Sequence, residues 1–135
     1  MSRITVWFIR CAIIYFLAAM IIGIIMTIKG GVYPLRPIHT HLNMLGWMSM
    51  MIYGVGYHIL PRFSGVPLWS DKLAVAHIFT ANIGLLGMIA GWTFKETVGY
   101  GMLHGFAMIE GLSVIFFALN MFKTIRAVSP PPKKA

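Results

Sequence analysis

A chain of 135 residues that is 59% hydrophobic and only 10% charged has too little polar surface for a water-soluble domain of its size. Its formal charge is +8, but the basic residues sit at the ends of apolar runs and share no face, so lipid headgroups and not nucleic acid are the expected partner. The one cysteine, Cys11, forms no intrachain disulfide and gives no indication of compartment.

Four apolar runs, about 4–28, 38–60, 73–94 and 100–122, each reach the roughly 20 residues that cross a bilayer. They predict an all-α, integral membrane four-helix bundle: one domain over 1–128, then a short polar tail over 129–135. Lys and Arg divide unevenly between the two sides. Arg3, Arg10, Arg62, Lys72, Lys123, Arg126, Lys133 and Lys134 fall on one, and Lys29, Arg36 and Lys95 on the other. The richer side is expected to be cytoplasmic. That places both termini there, in the cytoplasmic membrane of a bacterium or archaeon.

In the first run, Arg10 is expected to snorkel to the headgroups, with a propionate or lipid contact as the sharper alternative. The apolar stretch continues to Ile28 with no small-x-small site after it, which reads as a membrane helix and not a signal peptide. Lys29-Gly30-Gly31 with Pro34 marks the first loop. The second run opens on His39 and His41 and nearly closes on His58. Pro37 suits a first helical turn, and Pro61 is expected to stop the helix. His41, Met44, Met48, Met51, Val55 and His58 recur by threes and fours and so share one side. The methionine stripe is read as core packing, not as a metal path. His39 and His41, two residues apart, project differently, so one flat macrocycle cannot take both. Gly46, Gly54 and Gly56 thin this helix for a ring or a neighbouring helix.

The third run begins after Ser70-Asp71, a helix cap, and places His77, Ala81, Gly84, Met88 and Gly91 on one face. The fourth follows Gly99-Tyr100-Gly101 and aligns His104, Met108, Gly111, Ile115 and Ala118. Small residues below a histidine suit tight helix packing or the edge of a porphyrin, and both readings stay open. Glu110 is the only acid within a run. Proton uptake and a hydrogen bond to a neighbouring helix are both consistent with it.

Ionisable side chains inside a membrane are costly and point to function. His39, His41 and His104 lie near one surface, and His58 and His77 near the other. At 1.5 Å per residue, His41 and His58 are about 25 Å apart, too far for one haem to bridge. Histidine pairs in a helical bundle are the construction of membrane b-type cytochromes. The expected cofactor is haem b, ligated by His41 and His104 with His39 as the alternative, and Arg36 and Lys95 at the propionates. A second haem is expected between His58 and His77, near Arg62 and Lys72. Copper is the second choice of metal. The expected function is electron relay to a redox protein or quinone, as a homo-oligomer or within a larger respiratory complex. The alternative is a non-enzymatic haem or diatomic-gas binding protein, or an oxidase accessory protein.

His39-Thr-His41, Leu45-Gly46-Trp47, Gly54, Tyr57 and Pro61-Arg62 together resemble a helix of the haem–copper oxidase catalytic subunit, above all that of cbb-class oxidases and nitric oxide reductases. The resemblance implies that His41 is an axial ligand of a low-spin haem b and that His39 ligates a high-spin haem. The stretch from Leu73 through His77 to Gly84 is similar to the helix that follows, in which the histidine is not an axial ligand. A looser likeness exists to NnrS-type haem and copper membrane proteins, which also open a helix with His-x-His. The family's catalytic subunit has many more helices, including those that carry the other low-spin ligand, the copper histidines and their tyrosine. His104 or another chain is therefore expected to supply the second ligand here, and an electron-transfer haem protein is expected in place of a complete oxidase or reductase.

Overall fold

The structure, a computed structural model, describes residues 1–30 and 33–125. Gly31 of the first loop, the basic residues Arg126, Lys133 and Lys134, and the whole 129–135 tail lie outside the described residues. Helix α1 spans Arg3–Lys29. One helical run follows in three parts: α2, Leu35–His41; a π-helical segment, Leu42–Ser49; and α3, Met50–Phe63. Then come α4, Asp71–Thr93, the single turn α5, Lys95–Val98, and α6, Gly101–Thr124. The described residues contain no strand. The chain is an all-α, integral membrane four-helix bundle. Helices α1, α4 and α6 are each long and apolar enough to cross a membrane, and the segmented run from Leu35 to Phe63 is the fourth rod.

Local chemistry sets the ends. The Ser2 hydroxyl accepts from the Thr5 N–H and Ser70 from that of Leu73, so each caps orphan donors at a helix start. Gly30, at φ 73°, closes α1 in the left-handed region. Pro61 does not end its helix, contrary to expectation: α3 continues to Phe63, where the Ser64 N–H still reaches the Leu60 carbonyl at 3.0 Å. Two residues from the terminus, the proline forgoes only its own bond, and Gly65 (φ 63°) makes the actual turn.

The bundle consists of two hairpins, α1 against α2–α3 and α4 against α6. The second is the tighter seam. An added Cβ at Gly84, Gly87 or Gly91 of α4 would run into Glu110, the Phe106 ring or Leu103 of α6, so the glycines are what allow the helices to meet. Gly46 does the same for α1, where a Cβ would come to 2.7 Å from the Tyr15 Cβ.

Two predicted faces point the other way. Met44, Met48 and Val55 are exposed, so most of the methionine stripe turns outward, with Met51 packed against the core; the core face runs through Leu42, Gly46, Met50, Tyr53, Tyr57 and Pro61. The wider π-helical turn shifts the inward positions to steps of four across Leu42–Met50. On α6, His104, Met108, Gly111 and Ile115 are exposed, and the buried face is Glu110, Ser113, Asn120, Met121 and Thr124. In lipid it is the polar groups that need protein around them, so the amphipathic rule of soluble helices inverts.

Candidate functional site

The bundle has two ends, the His41 end and the Arg62 end. At the His41 end, α2 delivers both histidines in its last turn, just before the helix widens. Each ring is anchored through Nδ1: His41 to the Pro37 carbonyl at 2.9 Å, and His39 to the Ala19 carbonyl of α1, also at 2.9 Å. A carbonyl only accepts, so each ring donates from Nδ1, which leaves Nε2 as the nitrogen that can meet another partner. A backbone carbonyl on the far nitrogen is what orients a metal-ligating histidine. The two rings diverge, as their spacing requires. His39 lies against Gly23 of α1, and the His41 ring packs 4.3 Å from that of Trp92 on α4. Asn43 closes over His39, donating to its carbonyl at 2.9 Å, with Nδ2 3.4 Å from its Nε2.

From Trp92 an aromatic string leads to His104. The Tyr33 hydroxyl reaches the Trp92 carbonyl at 3.5 Å. Lys95 Nζ sits over both the Tyr33 and Tyr100 rings, 4.9 and 4.7 Å from their centroids, and within 3.9 Å of Glu96. Tyr100 in turn stacks on His104 at 6.0 Å and 17°. The hydrogen bond from Lys95 to Tyr100 holds the ammonium above its usual pKa. His39, His41 and His104 therefore share one end of the molecule with Lys95, and Arg36 is exposed nearby on α2. His104 faces outward, α2 and α6 do not touch, and α4 stands between them. Among the described residues no three His, Cys, Asp or Glu side chains converge on a metal position.

The Arg62 end is built differently. His58 is half-buried and, with Arg62, Asp71 and Tyr57, lines an open recess of ≈ 350 Å³. His77 is 0% exposed. The rings of Phe8, Tyr53, Tyr57 and Phe117 enclose it, at 4.5 to 5.7 Å between centroids, and its Nδ1 is 2.9 Å from the Tyr57 hydroxyl. Lys72 is exposed at the start of α4. His58 and His77 are thus not brought face to face; Tyr57 reaches from the recess to the buried ring. Sequence reading singled out neither Trp92 nor Tyr57 as a partner. Their signal is a ring placed in the helix turn that faces a histidine on a neighbouring helix, which spacing along one helix does not reveal.

With this arrangement in view, the chain can be set beside known proteins. It is 32% identical over 75 residues to the cytochrome c oxidase subunit 1 of Rhodobacter capsulatus, a match covering 48% of this chain and 14% of that protein. No solved structure matches. The family described as cytochrome c and quinol oxidase polypeptide I matches over residues 3–134, nearly the whole length and every helix above, and the chain belongs to that family.

Proposed function

We propose that this chain is a membrane haem protein that relays electrons, and that its haem b is held at the His41 end. The observation that carries the reading is the anchoring of the two rings: His41 and His39 both spend Nδ1 on a backbone carbonyl, and the Nε2 of His41 is left for a ligand while Asn43 lies on that of His39. This donor chemistry fits a haem iron, and membership of an oxidase subunit 1 family supports it. When bound, such a group supplies one-electron redox chemistry whose potential is set by its axial ligands. The Pro37 carbonyl fixes the His41 tautomer and the Trp92 ring fixes its plane. Arg36 and Lys95 supply positive charge at the same end for propionates. His104 turns outward, so its role as second ligand is assigned across a contact with another copy or another subunit of a respiratory complex. The proposal places no iron at His58 or His77. The domain is taken as residues 1–128 with four spans, the segmented run included, and both termini at the cytoplasmic face. An active periplasm-only reporter fused at Ala135 would reverse that orientation.

A second reading draws on the same outward turn of His104. If no neighbour supplies it, the iron keeps an open position and the protein binds a diatomic gas. Carbon monoxide added to the reduced, purified protein separates the two. An unchanged Soret band supports the six-coordinate relay, and a stoichiometric shift supports the gas binder. Absence of any Soret band would refute both.

A further inference from the structure

Among the described residues, two buried polar groups have no hydrogen-bond partner: both carboxyl oxygens of Glu110, a residue 5% exposed whose backbone carbonyl takes the Ser113 hydroxyl at 2.8 Å, and Nε2 of His77. They lie on facing helices. Glu110 sits against Gly84 of α4, and His77 is seven residues earlier on the same helix, about 10 Å along it. Between them stands Tyr53 of α3, its ring 4.5 Å from that of His77 and its hydroxyl within electrostatic range of the Glu110 carboxyl. On the far side of His77, Nδ1 meets the Tyr57 hydroxyl at 2.9 Å, and Tyr57 lines the recess that holds Asp71 and Arg62. Polar groups therefore recur from the Arg62 end to the carboxyl, hydrogen-bonded from Tyr57 to His77 and spaced more widely on either side of Tyr53. Toward the His41 end the same seam is apolar, with Phe106 seated on Gly87 and Leu103 on Gly91. The other titratable group facing Glu110 is Tyr15 of α1, which donates to Asn82 at 2.6 Å and leads only to an apolar crevice between α1 and α4.

A carboxyl removed from water with no hydrogen bond or counter-charge relieves the cost by holding a proton. We propose that Glu110 is a proton-binding site inside the bundle, loaded from the Arg62 end through the Tyr57–His77 hydrogen bond and Tyr53. The step is a relay of protons alone: the Tyr57 hydroxyl gives its proton to Nδ1, the imidazole passes the one on Nε2 to the Tyr53 oxygen, the Tyr53 hydroxyl proton goes to the Glu110 carboxylate, and Tyr57 regains a proton from the recess. It involves none of the histidines assigned to haem and stands whether or not haem is bound.

Infrared spectroscopy of the full chain in lipid vesicles at neutral pH tests it. Glu96 and Asp71 are exposed, so Glu110 is the expected source of any carboxylic-acid carbonyl band among the three acids of the chain. The band should move on labelling with carbonyl-¹³C glutamate, a test that needs no variant, and should vanish in Glu110→Gln. Transfer to D₂O should shift it, and Tyr57→Phe should keep the band but slow that shift at least about tenfold. Absence of a glutamate-labelled band would overturn the site. Exchange at the unaltered rate in Tyr57→Phe, or slowing in Tyr15→Phe instead, would overturn the route.

Discussion

At the His41 end, two histidines are tied down through Nδ1 to backbone carbonyls, and His41 is left open at its other nitrogen, on a helix turn that borders an exposed aromatic rim. At the Arg62 end, His77 is sealed among four rings and its hydrogen bond runs to a side chain. Both residues are imidazoles within apolar helices, and the cost of putting them there is similar. They differ in what the second nitrogen meets. A ligand histidine needs a rigid acceptor behind the ring and space in front of it, whereas His77 has aromatic surface all round. Counting histidines by depth treats the two ends as equivalent; the partners of each nitrogen separate them.

The sharpest way to break this contrast is to delete one histidine from each end. His41→Ala should abolish haem binding, read as loss of the pyridine haemochrome signal, while the thermal unfolding of the apoprotein changes little. His77→Ala should do the reverse. It opens a hole within the rings of Phe8, Tyr53, Tyr57 and Phe117 and strips Tyr57 of its partner, at roughly 2–5 kcal/mol for a large-to-small core change, yet haem content per folded protein should hold. Haem lost from both variants alike, or from neither, would erase the distinction between the ends.

Much of this architecture is legible in the sequence, and the illegible parts share a cause. The four apolar rods, the Ser70 cap and the inward set His77, Ala81, Gly84, Met88 and Gly91, all buried, follow from length, hydropathy and periodicity. The methionine stripe and the His104 face were both expected inside and lie largely outside. Leu42–Ser49 leaves the 3.6-residue repeat, and no residue in it announces a π-helix. On α6, Glu110, Ser113, Asn120 and Thr124 occupy the buried side, so the apolar stripe that marks the core of a soluble helix marks lipid here. The His-x-His pair was evident as a ligand motif, but Pro37 and Ala19 entered the site through their carbonyls, which carry no side-chain signature at all.

The two hairpins offer a smaller contrast, and it tests the claim that glycine is what brings α4 to α6. Gly87→Ala would place a methyl group within the Phe106 ring, and forced overpacking of this kind costs about 1–3 kcal/mol. Gly105→Ala, with nothing within 4 Å of the added carbon, should leave unfolding unchanged within about 0.5 kcal/mol. Asn120→Ala belongs between them. Its amide accepts from the Ser70 N–H at 3.1 Å and donates to the Ser70 carbonyl at 2.8 Å, fastening α6 to the start of α4. Leaving those two groups without partners should cost roughly 1–3 kcal/mol. Equal melting temperatures for the two glycine variants would show that the seam has slack.

The smallest expected effect lies at the exposed rim of the His41 end, where Lys95 is held between Tyr33 and Tyr100. Its pKa is raised above 10.5, chiefly by the hydrogen bond to the Tyr100 hydroxyl. A raised ammonium pKa favours the folded state while the group is protonated. That contribution is fully present below the unfolded value of 10.5 and is lost as pH climbs through the higher folded value. Tyr100→Phe removes the hydroxyl and keeps the ring on which both Lys95 and His104 rest. Nitrogen-15 titration of lysine-labelled protein should then show the Lys95 resonance turning over at lower pH. Stability near neutral pH should fall slightly, because the contribution is fully present there and goes with the hydroxyl, and the gap from the unaltered chain should close as pH climbs through the folded value. If the variant instead melted lower by the same margin at every pH, Tyr100 would be supporting the end of α6 by packing, and the rim would be as much a structural element as the sealed rings around His77.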